Sequence, residues 1–362
     1  MNLKINIAFT FPDFRGGGAE KVMTRLINYI SSLPNYQVYI FVGKKSGPNL
    51  NQLSKQNPIN IIELGKSGLK AIPSLLSNIK KYNIDIIIGT LNMAHAVSLC
   101  NIFAPKNCTC IARLGNTISE EIKNYNGLKK IISIYYQKAL AFSDVIVTQS
   151  EYMKHDLKSF INEKYHYKIK LIYNPIDQKN ITDKSKEPST ISVSSDDIIT
   201  IGRLEYQKNH YQTLRVFSLY NKAHPKSSLH IIGAGSLKNK LIELSKKLNI
   251  ETNVIFHNYV ENPYPLLKKC KMVVMASYYE GFSNVILECV ALGVNIVASN
   301  CPGGNSEIIN NNNGYLFDVD NDDDMYKKML ECNKLTITSP DVKQFSTPII
   351  AHQYLELINH EK

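Results

Sequence analysis

A chain of 362 residues exceeds what one hydrophobic core usually organises, and its 44% hydrophobic content is ordinary for a globular protein, so two domains of comparable size are expected. No apolar run reaches the roughly eighteen residues of a membrane-spanning helix, and the N-terminal run KINIAFTF lacks the length and cleavage site of a secretory signal. The net charge of +11 lies wholly in the first half: residues 1–174 carry 22 Lys and Arg against 10 Asp and Glu, giving +12, whereas residues 175–362 carry 20 against 21, giving −1. That asymmetry points to a polyanionic partner for the first half. The neutral second half, without interleaved aromatic and basic residues, argues against nucleic acid.

Short β-branched runs alternate with helical patterns along the first half. KINIAFTF (4–11) leads through three glycines into a helix near Ala19–Ser31. QVYIFV (37–42), INIIEL (59–64), DIIIGT (85–90), TCIAR (109–113) and DVIVTQ (144–149) continue the strand series, and KIKLIYNPID (168–177) closes it. Such alternation predicts a mostly parallel sheet with helices on both faces. Seven cysteines form no C-x-x-C pair and no zinc-type spacing, which fits reduced core thiols.

Residues 178–196 are polar and rich in Ser and Lys, as in a linker or surface loop, and then the pattern restarts. Strands are expected at 197–203, 228–233, 253–258, 272–277 and 295–300, with helices near 209–222, 236–248 and 284–292. In open sheets of this kind ligands bind beyond the carboxyl ends of the strands, so the residues just after each run carry the functional signal.

Four such stretches stand out. PDFRGGGAEKV (12–22) brings glycines, with close backbone approach, to a helix start that favours an anion. GRLEYQKNH (202–210) releases Arg203 and Lys208 from one strand end, ahead of a helix capped by Asn209, so that two cations can converge on a diphosphate. GAGSLK (233–238) begins like a nucleotide fingerprint but has Lys238 where the third glycine belongs, and it reads as a strand-to-helix turn near a nucleotide base. EGFSNVILE (280–288) spaces two glutamates on either side of a helix start capped by Ser283 or Asn284. Were that stretch helical throughout, the carboxylates would stand about 12 Å apart. Glycosidic acid/base pairs use roughly 5 to 9.5 Å, so two contacts on one long ligand are the better reading. CPGGNSEII (301–309) adds a second glycine turn. DVDNDDD (318–324) contains an Asp-x-Asp pattern that can hold a metal, but it follows no strong strand and suits the acidic first turn of a helix.

Taken in order, GGGAE, the break after Asn174-Pro175, GRLEYQKN and EGFSNVILECVALGVNIVASNCPGG resemble glycosyltransferase family 4 over essentially the whole chain. The resemblance implies the GT-B fold, an α/β architecture of two Rossmann-like domains facing each other across a cleft. Residues 1–174 would be the acceptor-binding domain and 175–345 the donor-binding domain, with 346–362 a C-terminal helix packing back towards the first. It implies a retaining transferase moving a hexose or N-acetylhexosamine from a nucleoside diphosphate sugar, UDP being the expected nucleotide, onto a polyprenyl-diphosphate-linked glycan of bacterial surface polysaccharide, capsule, O-antigen or lipopolysaccharide type.

The same resemblance assigns roles. Glu288 would accept from the ribose hydroxyls, and Glu280 would face the donor sugar in a pocket lined by Gly281 and Phe282. Arg203 and Lys208 would neutralise the diphosphate, with the backbone of Ser283, Asn284 and Val285 at the helix start. Gly17 and Gly18 would close over phosphates or acceptor. No cofactor is implied, and no metal is required. The family's N-domain histidine is missing: ARLGNTISEE offers Arg113 and Asn116 on the acceptor side. His95, in LNMAHAV, is the nearest histidine, although a half-buried helix residue is its plainer reading. The basic stretch 118–142, with Lys123, Lys129, Lys130 and Lys138 among Ile and Tyr, suits the anionic surface of the inner membrane, so a cytoplasmic protein peripheral to that membrane is expected. The rival readings are a nucleotide-sugar epimerase of the same fold and a nucleotide-sugar-binding protein without turnover.

Overall fold

The computed structural model describes residues 4–123, 125–337 and 341–358. It divides into two units, Met1–Pro175 with Gln344–Lys362, and Ile176–Lys343. Each unit is a Rossmann-like domain built on its own parallel sheet, the domain type of the GT-B fold.

The first unit contains β1 (Ile5–Phe11), β2 (Tyr36–Val42), β3 (Ile59–Glu63), β4 (Ile86–Thr90), β5 (Thr109–Arg113), β6 (Val145–Thr148) and β7 (Ile169–Leu171), in spatial order β3-β2-β1-β4-β5-β6-β7. Every pairing is parallel. All residues of β4 and β5 are buried, as the unbroken apolar runs IIIGT and TCIAR require of strands covered on both faces. Val22, Leu26 and Ile30 of the helix Gly18–Ser31 pack one face, where they meet Ile350 and Tyr354 of the C-terminal helix Thr347–Leu355. Leu75, Ile79, Met93 and Val97 pack the other. The last part of the chain thus belongs to the core of the first unit.

The second unit contains β8 (Ile198–Ile201), β9 (Leu229–Ile232), β10 (Val254–His257), β11 (Met272–Met275), β12 (Ile296–Ser299) and β13 (Gly314–Phe317), in order β10-β9-β8-β11-β12-β13, again all parallel. Leu214, Phe217, Leu241, Met325 and Met329, from three helices, cover one face. On the other lies the helix Asn284–Leu292, whose Ile286 to Leu292 are all buried.

Three expectations are corrected. The polar stretch after residue 177 is not all loop: Asp177 caps a helix, Gln178–Lys184, through the Asn180 N–H, and that helix packs by its buried Ile181 against Asn284–Leu292. The run KIKLIYNPID, expected to leave its strand at Asn174-Pro175, is a strand only over Ile169–Leu171. A strand, β13, does precede DVDNDDD; GYLF is too short and too mixed in burial to declare itself. Asn321 nevertheless caps the following helix, Asp322–Cys332, through the Asp324 N–H, with three aspartates in the first turn.

Candidate active site

In the second sheet the strand order reverses between β8 and β11, and the crevice of an open sheet forms at such a reversal. The loops leaving these two strands meet there. Lys208 Nζ donates to Glu280 Oε1 at 2.5 Å, and Ser277 Oγ donates to the same oxygen at 2.7 Å. The Glu280 side chain is only 9% exposed, so the pair is held with little water around it.

Glu280 rests on a prepared bed. Its N–H donates to the Pro302 carbonyl and the Gly304 N–H donates to the Gly281 carbonyl, which ties EGF to the CPGG turn. Gly303 has φ +135°, and a Cβ there would lie 2.2 Å from the Glu280 carbonyl oxygen, so only glycine fits. Ser299 Oγ donates to the Ser277 carbonyl at 2.6 Å, and Asn305 Nδ2 to the Ser299 carbonyl at 3.0 Å, fixing the strand end from which Ser277 projects.

The cationic loop is equally constrained. Arg203 is exposed, and its Nη2 donates to Gln207 Oε1 at 2.9 Å, while Gln207 Nε2 donates to the Tyr279 carbonyl at 2.9 Å. Asn209, with φ 45°, caps the helix His210–Ala223. His210 lies beneath the loop with Nε2 3.2 Å from the Arg203 carbonyl. Burial, aided by the Lys208 ammonium, pushes the His210 pKa down to about 4, so the neutral ring donates that hydrogen bond. Gly233 of GAGS has φ +149°, and a Cβ would fall 2.0 Å from the Gly202 carbonyl oxygen. Glu205 accepts from the Ser236 N–H and Oγ, both at 2.8 Å. GAGS therefore first of all packs against the loop after β8.

Ser283 caps the helix Asn284–Leu292 through the Ile286 N–H at 3.4 Å, and the preceding residues Glu280 to Phe282 are not helical. The 12 Å separation drawn from a continuous helix therefore does not apply. Phe282 is buried, and Glu288 lies in the second turn of the helix at 3% exposure. The helix begins at Asn284, four residues after Glu280, with its positive end at the start of this turn. The arrangement offers two cations, a desolvated carboxylate and a helix start at one strand reversal, which suits a phosphorylated ligand carrying hydroxyl groups.

In the first unit, Gly17 caps the helix Gly18–Ser31, and a Cβ on it would come within 2.4 Å of Glu20 Oε2, a carboxylate buried under the loop. Arg113 departs from its expected place. It is 2% exposed and donates to Thr90 Oγ1 at 3.1 Å and to Asn174 Oδ1 at 2.6 Å, with Tyr354 and Glu20 close enough to favour its charge. Burial lowers its pKa against those neighbours. A guanidinium so enclosed ties the ends of β4 and β5 to the segment after β7. His95 is likewise buried: its ring stacks on Tyr136 at 3.9 Å, Nε2 meets Gln137 Oε1 at 3.1 Å, and burial pushes its pKa down to about 4. Asn116 is half-buried, its Oδ1 without a hydrogen-bond partner among the described residues.

Three of the five aspartates of DVDNDDD have carboxylates engaged by protein groups. Asp322 takes both Arg215 nitrogens at 2.7 and 2.9 Å, Asp324 accepts from the Asp318 N–H, and Asp320 accepts from Asn209 Nδ2. Sequence reasoning missed Ser277, Gly303 and His210. The only signals for them were the small polar residue ending a buried run, the second glycine of CPGG and the histidine closing GRLEYQKNH.

Comparison with known proteins agrees with this geometry. Residues 181–343 match the family model described as glycosyl transferases group 1, and residues 16–180 match glycosyltransferase family 4. The chain is 31% identical over 342 residues, 88% of either chain, to the N-acetylgalactosamine-N,N'-diacetylbacillosaminyl-diphospho-undecaprenol 4-alpha-N-acetylgalactosaminyltransferase of Campylobacter jejuni. Among solved structures, Anabaena HepE in complex with UDP and glucose has a TM-score of 0.79 at 18% identity, covering 97% of this chain and 98% of that one. A glycosyltransferase from Rickettsia africae has a TM-score of 0.75 at 19% identity, covering 98% of each.

Proposed function

The chain belongs to glycosyltransferase family 4, and from that premise we propose that it moves a hexose or N-acetylhexosamine from a UDP-sugar to a lipid-linked glycan of bacterial surface polysaccharide synthesis, with retention of configuration. The observation that carries the reading is the Lys208–Glu280 pair beside Arg203 and the start of the helix Asn284–Leu292. UDP is supported by the ligand of the Anabaena structure, and a diphospho-undecaprenol acceptor by the name of the Campylobacter relative.

In this account Arg203, Lys208 and the helix N–H groups take up the charge of the diphosphate as it departs. Glu280 accepts from a sugar hydroxyl, and Glu288 from the ribose. The bond between the anomeric carbon and the phosphate oxygen breaks as the bond to the acceptor oxygen forms on the same face. The acceptor proton passes to the leaving phosphate. Because protein cations balance the leaving charge, the transfer proceeds without a metal, and chelators leave it intact.

The acceptor is met at an anionic membrane surface on its cytoplasmic face. In support, the helix Gly127–Lys138 has no buried residue, and Leu128, Ile131, Ile132 and Tyr135, spaced i, i+3, i+4 and i+7, are all exposed. Lys129, Lys130 and Lys138 flank them, and among the described residues no helix is long and apolar enough to span a bilayer. The test is a panel of UDP-sugars offered with undecaprenyl-diphosphate-linked saccharides in the presence of EDTA. One donor yielding a glycosylated lipid supports the proposal, and nucleotide release without any glycosylated product contradicts it.

A further inference from the structure

Two tyrosines not used by the donor site stand at its edge. Tyr206 lies between Arg203 and Lys208 in the loop after β8, and Tyr278 lies between Ser277 and Glu280 in the loop after β11. Their rings stack with centroids 4.6 Å apart and planes inclined by 24°. Tyr206 is 59% exposed, so its outer face is open. Single exposed aromatics are ordinary on protein surfaces. This one is backed by a ring fixed from several directions.

Tyr278 donates its backbone N–H to the Gln207 carbonyl at 2.8 Å, and the Asp320 carboxylate lies close enough to act on its phenol. Asp320 sits in the left-handed region at φ 60°, a conformation Asp tolerates at some cost, and is steadied by Asn209 Nδ2 at 3.3 Å. Burial, with the Asp320 carboxylate, pushes the Tyr278 phenol up to about 12. Arg215, held by Asp322, completes the surround. The result is a flat aromatic face held rigidly on a loop that also carries the exposed Arg203.

A rigid, exposed aromatic face beside polar and charged loop residues matches a pyranose ring, which has a face of C–H bonds and an equator of hydroxyls. We propose that Tyr206, supported by Tyr278, is a saccharide-stacking subsite that holds a sugar of the acceptor glycan next to the donor site. Both tyrosines adjoin residues of the donor site in sequence, so a sugar on Tyr206 lies at the rim of that site. The proposal rests on the transferase reading given above.

The experiment is saturation-transfer NMR on the full-length protein with methyl α-N-acetylgalactosaminide and methyl α-glucoside as probes, each with saturating UDP present. Transfer to ring C–H protons of at least one glycoside is expected in the wild type, is kept in Tyr206→Phe, and falls about three- to tenfold in Tyr206→Ala, the range expected for one aromatic contact. Circular dichroism confirms that the variants are folded, as the exposure of Tyr206 leads one to expect. Equal transfer in Tyr206→Ala, or transfer abolished by UDP in the wild type, overturns the subsite. Failure of UDP to bind at all counts against the proposed function instead, so the two failures are told apart.

Discussion

Lys208 and Glu280, 72 residues apart in the chain, share one hydrogen bond inside a site where water is scarce, and the same Glu280 oxygen also accepts from Ser277. A buried carboxylate held by two donors is fixed in position at the strand reversal. Replacing it leaves Lys208 without its counter-charge. Glu280→Gln is expected to lower kcat/KM by roughly a hundredfold, about 3 kcal/mol of transition-state binding, with a smaller change in UDP affinity. Steady-state kinetics with the preferred donor checks this, and equal losses in both quantities would remove Glu280 from the sugar end.

Glu288 is assigned to the ribose, so Glu288→Gln should weaken UDP and leave inorganic pyrophosphate nearly unaffected. Competition against the donor reads both inhibitors in one assay. A uniform loss would mean that the buried carboxylate supports only the helix.

Gly303 and Gly127 both have positive φ, but they differ in surroundings. A Cβ at Gly303 meets the Glu280 carbonyl oxygen, whereas at Gly127 nothing lies within 4 Å. Gly303→Ala should therefore displace Glu280 and lose activity well beyond its loss of stability. Gly127→Ala should cost only about 1 kcal/mol of backbone strain. Parallel urea melts and kinetics separate the two effects.

Acid should destabilise the protein through two histidines. His95 and His210 are pushed from the ordinary 6.5 to about 4, chiefly by burial. The unfolded chain takes up these protons as pH drops below 6.5, while the native state resists until about 4. Their contribution is thus complete above 6.5 and declines through that window. Each shift corresponds to at most about 3 kcal/mol. Chemical denaturation between pH 7 and 4 should show this decline, and His210→Gln should flatten part of it.

Arg113 ties Thr90 and Asn174 beneath the surface of the first unit. Arg113→Met should lower stability by about 3 kcal/mol by leaving buried partners unsatisfied, and it should not change the KM for the donor. Thermal melts and donor kinetics on the same preparation check this; a selective rise in acceptor KM without loss of stability would restore Arg113 to the acceptor side.

Much of this architecture is legible in the sequence because parallel strands buried on both faces must be written as unbroken apolar runs such as IIIGT and MVVM. The loops that matter were legible from their position after those runs. β13 and the helix Gln178–Lys184 were not, because four residues of mixed burial, or seven with only Ile181 buried, carry too little periodicity. The burial of Arg113 was illegible for a related reason: a cation at a strand end looks alike in sequence whether it faces solvent or is enclosed by Asn174 and Thr90. The Lys208–Glu280 contact was invisible because strand order, which brings β8 beside β11, is not written in either loop.

The central claim is that the cations after β8 bind a nucleoside diphosphate, and the most direct measurement is calorimetric titration of UDP into the wild type and into Lys208→Ala. The account predicts saturable binding to the wild type and at least tenfold weaker binding to the variant, corresponding to about 1.4 kcal/mol or more. Equal affinity in the two proteins would contradict it.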